Sequence, residues 1–318
     1  MTSAQPPPAA GVRIPWSELP ERVRAAIESW LGSPVVSALS QPGGFSPGLA
    51  ARLQAASGRR VFAKAAGPLP NRFAASLHRR EATVAAMLPA DAPTPRLLWS
   101  YDEGDGGWMV LVFEDIAGRQ PAQPWQQTEL DRVLATMEML ARRLTPAPLA
   151  AGQAATWFAV NGDGWRRLQE EQPPALDDWS ARHLGALADL EERTPPLVAG
   201  DTLLHFDIRA DNLLLTPERV VVVDWPHARI GAAWVDLVLF APSVAMQGGP
   251  LPEELLGRYS AAWTADPKAI TATAAAVAGF FTWHALQPPS PGLPTLRAFQ
   301  AAQAAAACTW LAQRTGWS

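Results

Sequence analysis

The stretch LLHFDIRADNLLL, residues 203–215, decides how this chain is to be read. Leucines on both sides point into a core, yet the run between them carries His205, Asp207, Arg209, Asp211 and Asn212. Burying a polar group without a partner costs roughly 2–7 kcal/mol on transfer scales, so these side chains need hydrogen bonds or chemistry to hold them there. Twelve residues beyond Asn212, the run VVVVD ends in Asp224. With Thr216, Pro217 and Glu218 as the turn, residues 213–216 and 220–223 read as a β-hairpin with polar groups at both ends.

Working outward, residues 35–39, 49–54 and 60–65 read as three short strands, joined by QPGGFSPG and by a turn at Ser57 and Gly58. Phe73, Leu77, Val84 and Leu88 follow a helical period over residues 72–88. Residues 96–101 and 108–113 form a second hairpin about EGDGG. The segment FEDIAGRQPAQP then breaks all periodicity, and from about residue 128 the pattern is helical except around the opening stretch. The expected fold class is α+β in two lobes: a disordered tail at 1–15, a small lobe of antiparallel sheet with one key helix at 16–115, and a larger, mainly helical lobe at 116–318.

The 318 residues exceed the roughly 250–300 at which a single core stops growing, which suits two lobes. A net charge of −4 offers no basic field for nucleic acid or an anionic membrane. Cys308 is the only cysteine, so no intramolecular disulfide and no cysteine-built zinc site can form, and a reducing cytoplasm is expected. The start lacks the basic segment and apolar run of a leader. Residues 269–286, AITATAAAVAGFFTWHAL, are apolar enough to raise a membrane span, but they are rich in Ala and Thr, contain His284, and follow Asp266 and Lys268. A buried helix is expected instead. His78, His183, His227 and His284 show no ligand spacing.

His205, Asp207 and Asn212 stand as H-x-D-x-x-x-x-N, the spacing of a kinase catalytic loop, and Asp224 follows in the right order at a strand tip. Phosphoryl transfer needs divalent cations on hard oxygens, a carboxylate near the attacking hydroxyl and a fixed cation on the nucleotide phosphates. Asn212 and Asp224 are the expected Mg²⁺ ligands. Asp207 would accept or orient the hydroxyl proton, with His205 bracing the loop. Of 26 basic residues only Lys64 and Lys268 are lysine, so Lys64 at the end of a strand is the expected phosphate-binding ammonium. Glu81, on the following helix, is its expected ion-pair partner. Gly43, Gly44 and Gly48 would let backbone amides approach phosphates, and Phe113, Glu114 and Ile116 would supply backbone hydrogen bonds to adenine. Each residue taken singly reads as well as a turn former or a surface charge; their joint order favours the site.

That order, QPGGFSPG, Lys64, Glu81, HFDIRADN and VVVDWPHARIGAAWVDL, resembles the aminoglycoside phosphotransferase and choline kinase-like family. The resemblance spans roughly residues 35–240. It implies a bilobal protein-kinase-like fold, ATP and Mg²⁺ as cofactors, transfer of the γ-phosphate to a hydroxyl of a small molecule, and a structural Asp236, with antibiotic resistance among the roles it allows. The chain departs from the family's usual loop, H-G-D with a proline before the asparagine, at Phe206 and Asp211. Only twelve residues separate Asp224 from Asp236, which leaves no room for a long peptide-binding segment, so the acceptor is expected to be small. Choline, an amino alcohol, a sugar or a nucleoside are alternative acceptors, and a nucleotide-binding pseudokinase that regulates a partner is the alternative class.

Overall fold

Alternating side chains sort the first half of the chain into layers on the two faces of one sheet. The computed structural model describes residues 7–173 and 175–318. Helix α1 (Glu21–Leu31) precedes strands β1 (Val35–Ser40), β2 (Leu49–Ala55) and β3 (Arg60–Ala66); helix α2 (Arg72–Ala85) and the hairpin of β4 (Leu97–Asp102) and β5 (Met109–Glu114) follow. The antiparallel sheet has the order β1-β2-β3-β5-β4. Because successive strand residues face opposite sides, Val110 and Val112 of β5 pack with Val23 and Ile27 of α1. Met109, Leu111 and Phe113 pack with Ala74 and Ala75 of α2. Lys64 lies opposite Leu111 in the β3–β5 register, so it shares the α2 face.

Two features differ from the sequence-based expectation. The strand-rich account of the first half omits α1, although Val23, Ile27 and Leu31 recur every four residues and Gly32 closes the helix at φ +69°. The expected disordered tail is the second. Residues 1–6 of it lie outside the described residues, but Val12 and Ile14 are held by backbone hydrogen bonds: Ile14 N–H to Gly48 O at 3.1 Å, Gly48 N–H to Val12 O at 3.0 Å and Val12 N–H to Gly292 O at 2.8 Å. Backbone groups paired in this way have exchanged water for fixed partners, which orders a proline-rich segment that has no helical or strand period of its own.

The second half is helical: α3 (Gln127–Arg143), α4 (Ala154–Asn161), α5 (Gly164–Glu171), α6 (Asp178–Glu191), α7 (Thr194–Leu197), α8 (Val235–Met246), α9 (Pro252–Gly257), α10 (Ser260–Trp263), α11 (Pro267–Ala285) and α12 (Leu296–Thr315). Helix α11 is the expected buried helix; Asp266 caps it by accepting the Lys268 N–H at 2.9 Å, and Ala274, Ala275, Ala276 and Ala278 are fully buried. Among the described residues no helix is long and apolar enough to cross a membrane. Short strands β6 (Gly152–Gln153), β7 (Thr202–Leu204) and β10 (Arg229–Gly231) pair as one small sheet, and β8 (Leu213–Leu215) with β9 (Val220–Val222) form the expected hairpin, Leu213 opposite Val222.

Candidate active site

The polar run leaves the core at β7 and re-enters it at β8. Leu203, Leu204, Leu213 and Leu215 are buried and anchor both ends, while Leu214 faces a cavity. Asp236, at the start of α8, accepts the backbone N–H of His205 at 2.9 Å and of Phe206 at 2.8 Å. His205 Nδ1 accepts the Asp207 N–H at 3.2 Å, which leaves Nε2 as the donor to Val223 O at 3.0 Å. The imidazole is therefore the neutral Nε2–H tautomer, and burial pushes its pKa down to about 4. Burial also lifts the Asp236 carboxyl to about 6, against the pull of its two N–H donors.

Asp207 and Asn212 meet inside the loop. Asn212 Nδ2 donates to Asp207 O at 2.9 Å and to its Oδ2 at 3.3 Å, and Asn212 O accepts the Val223 N–H at 3.0 Å. Arg209, which no motif singled out for a role, lies between two carboxylates: Nη1 reaches Asp207 Oδ1 at 2.6 Å, while Nε and Nη2 reach Asp211, each at 3.0 Å. The charge that Asp211 adds to the loop is thus paired internally. Burial raises the Asp207 carboxyl, opposed by Arg209.

Across the cleft, Lys64 Nζ sits 2.7 and 2.9 Å from the two oxygens of Glu81 and 2.6 Å from Asp224 Oδ1. The α2 face of β3 brings Lys64 to Glu81. Asp224 arrives from the hairpin with a left-handed backbone, φ +70°, which an aspartate tolerates better than most residues. Burial pushes Glu81 up to about 7 even beside Lys64. Burial acts the same way on Asp224, but there Lys64 prevails and the carboxyl falls below its ordinary value. His78, 3.8 Å from Glu81, is driven down to about 3 by burial and by Lys64, so it stays neutral and leaves Lys64 as the cation.

A cavity of about 370 Å³ lies between the sheet and the hairpin. Leu49, Ala50 and Phe62 line it from the sheet side, Leu214 and Val223 from the hairpin, and Phe113, Glu114 and Ile116 along the connection between lobes. Gly43, Gly44, Lys64, Glu81, Asn212 and Asp224 also line it. Gly48, at φ +123°, passes so close to β3 that a Cβ would lie 2.3 Å from Ala65 O. Of the expected site residues, Asp207, His205 and Gly48 stand outside the lining; Asp207 reaches it through Asn212. Sequence reasoning missed Arg13, Arg52 and His78, which line the cavity, and Arg209. Arg52 Nη2 donates to Ile116 O at 2.7 Å and its Nε lies 3.2 Å from Asp115. Arg13 and Arg52 carry no local signal, since their partners are distant in sequence, whereas His78 stands one helical turn before Glu81.

Among the described residues, no three His, Cys, Asp or Glu side chains gather to hold a metal by themselves. Asn212 commits its amide nitrogen to Asp207, and Asp224 commits Oδ1 to Lys64, which leaves the Asn212 amide oxygen and Asp224 Oδ2. Two hard oxygens suit Mg²⁺, which takes few protein ligands and completes its shell with phosphate and water.

A small antiparallel sheet bearing a Lys–Glu pair, set over a helical half whose loop presents Asp and Asn, defines the class of kinase-like phosphotransferases. The chain belongs to the phosphotransferase enzyme family APH, which its sequence matches over residues 43–276. No curated protein sequence matches it. Solved structures similar to it include the choline kinase LicA from Streptococcus pneumoniae, at 17% identity and a TM-score of 0.59 over 91% of this chain and 98% of that one. A thermostable mutant of aminoglycoside phosphotransferase APH(4)-Ia, in ternary complex with AMP-PNP and hygromycin B, aligns at 15% identity and a TM-score of 0.60 over 94% and 100%. Spectinomycin phosphotransferase APH(9)-Ia, in complex with ADP and spectinomycin, aligns at 12% identity and a TM-score of 0.57 over 91% and 98%. These likenesses establish the fold.

Proposed function

We propose that this phosphotransferase moves the γ-phosphate of ATP, held with Mg²⁺, to a hydroxyl of a small molecule in the cytoplasm. The observation that carries the proposal is the ammonium of Lys64 pinned between Glu81 of one lobe and Asp224 of the other, beside the loop of Asp207 and Asn212. In this reading Lys64 binds nucleotide phosphates once they draw it from Asp224. The Asn212 amide oxygen and the Asp224 carboxylate would hold Mg²⁺, which would supply charge neutralisation at the phosphate oxygens. Asp207 orients the acceptor hydroxyl and takes its proton, and burial, by raising its pKa, makes it the stronger proton acceptor. Arg209 sets the direction of the Asp207 carboxylate, and neutral His205 fixes the loop without competing for the proton. Backbone groups of Phe113, Glu114 and Ile116 receive adenine.

The interval between Asp224 and Asp236 is taken up by β10 and the entry to α8, which supports a small acceptor over a peptide. A coupled ADP-release assay across aminoglycosides, amino alcohols, sugars and nucleosides, with and without Mg²⁺, tests the proposal. Acceptor-dependent, Mg²⁺-dependent ADP release is expected. Nucleotide binding with no acceptor-stimulated release would favour the regulatory pseudokinase. Asp207→Ala is expected to lower turnover by about 10²–10⁴-fold, the usual contribution of a general base, with Mg-ATP affinity by calorimetry nearly unchanged; undiminished turnover would remove Asp207 from the mechanism.

A further inference from the structure

Arg13 belongs to none of the motifs, yet its guanidinium lines the same cavity as Lys64, Glu81 and Asp224. All three of its nitrogens donate to carbonyls of one loop: Nε to Gln41 O at 2.9 Å, Nη1 to Ser46 O and Nη2 to Gly43 O. That loop carries Gly43 and Gly44. The backbone on either side of Arg13 is fastened to the same loop, Ala10 bridging to Gly43 and Gly44, and Val12 and Ile14 exchanging hydrogen bonds with Gly48.

The segment is tied to the other half of the molecule as well. Val12 N–H donates to Gly292 O at 2.8 Å, Ala10 N–H to Thr295 Oγ1 at 3.2 Å, and Thr295 Oγ1 to Pro8 O at 2.9 Å. At the loop tip, Phe45 meets Phe299 of α12 edge to face, with ring centroids 5.0 Å apart. The N-terminal segment is therefore a strap that holds the glycine loop down over the cavity and against the C-terminal half.

The Arg13 guanidinium is half-buried, and among the described residues its direct hydrogen-bond partners are neutral carbonyls, so no carboxylate touches it. The carboxylate that acts on Arg13 from across the cavity is Asp224, and Lys64 already engages it. A guanidinium has five N–H donors and the carbonyls use three, so two remain. Phosphate oxygens are the chemistry that fits a planar fork with spare donors beside a glycine loop.

We propose that Arg13 is a second phosphate-binding cation of the nucleotide site, holding the glycine loop by its carbonyls and giving its remaining donors to the triphosphate. The proposal rests on the cavity being the nucleotide site. Calorimetry on the full chain with Arg13→Gln and Arg13→Lys, titrating Mg-ATP and, separately, adenosine, tests it. Arg13→Gln is expected to weaken Mg-ATP by about 10- to 100-fold, the scale of one or two charge-assisted hydrogen bonds, while adenosine affinity stays within about twofold. Arg13→Lys, which keeps the charge and loses the fork, should fall between wild type and Arg13→Gln for Mg-ATP. Equal losses for both ligands would reduce Arg13 to a structural strap, and an unchanged Mg-ATP affinity in Arg13→Gln would overturn the proposal outright. Should Arg13→Gln fail to fold, Arg13→Lys decides alone: a selective loss of Mg-ATP supports the proposal and no loss rejects it. Wild-type protein that binds neither ligand would defeat the nucleotide reading along with this one, so the two failures are distinguishable.

Discussion

His205 and Phe206 show how much the loop asks of single residues. The His205 imidazole stays neutral down to about pH 4 in the folded chain, whereas an unfolded chain protonates it near 6.5. Between those values the unfolded state binds more protons, so the stabilisation from His205 is complete above about pH 6.5 and is lost as the pH falls toward 4. Glu81 and Asp236, raised to about 7 and 6, have the opposite dependence, but a comparison with His205→Gln cancels them to first order. The stability margin of wild type over His205→Gln should shrink between about pH 7.5 and 5 in thermal unfolding; a margin that widens on acidification contradicts the assignment. Phe206 holds φ +67°, a left-handed conformation that costs a side-chain-bearing residue about 1–2 kcal/mol. Its ring lies 5.1 Å from Trp157 and 5.8 Å from Phe158, and emptying such a space costs about 3–5 kcal/mol. Phe206→Gly relieves the first and incurs the second, so a net loss of about 2 kcal/mol is expected in denaturant unfolding.

At the scale of elements, the glycine loop and the catalytic hairpin are each positioned by contacts outside themselves. The loop between β1 and β2 depends on Gly48, where both the positive φ and the closeness of Ala65 O forbid a side chain. Gly48→Ala should destabilise the protein by about 1–3 kcal/mol, the cost of such strain, and should weaken Mg-ATP and adenosine to a similar extent, because the displaced loop lines the cavity as a whole. A stable Gly48→Ala with normal Mg-ATP affinity would show that the loop adapts. The hairpin of β8 and β9 is tied to the connection between lobes by paired hydrogen bonds between Arg119 and Leu215, at 3.1 and 2.7 Å. Leu214 therefore stands under the cavity with little freedom to shift, which keeps Asn212 and Asp224 in register with the sheet above them.

Across the whole molecule, the bond between Lys64 and Asp224 joins side chains 160 positions apart and links the two lobes through the centre of the site. Its partners are mostly buried, so deleting the ammonium leaves Glu81 and Asp224 facing one another without a counter-ion. Lys64→Ala is expected to lower stability by about 3–5 kcal/mol, the cost of breaking one side of a buried pair, and to abolish measurable Mg-ATP binding. Loss of binding with unchanged denaturant stability would mean that the lobes do not depend on this link. The strap of residues 8–14 and the contact of Phe45 with Phe299 add two further connections between the lobes.

Order along the chain and local periodicity were enough to reveal the five-stranded sheet, helix α2, the hairpin after the polar loop, and Lys64, Glu81, Asp207, Asn212 and Asp224 as candidates. Strand alternation, helical repeat and motif spacing are properties of neighbouring residues, and these survive in one dimension. The tertiary structure alone decided that Asp236 grips the loop backbone with the carboxylate shared between two N–H groups, that Lys64 meets Asp224, and that Arg52 reaches Asp115 and Ile116. It also turned an apparent tail into a wall of the cavity. Those outcomes depend on electrostatic and backbone partners brought together from distant positions, and the desolvation that sets the charge of each group exists only once the lobes have closed around it.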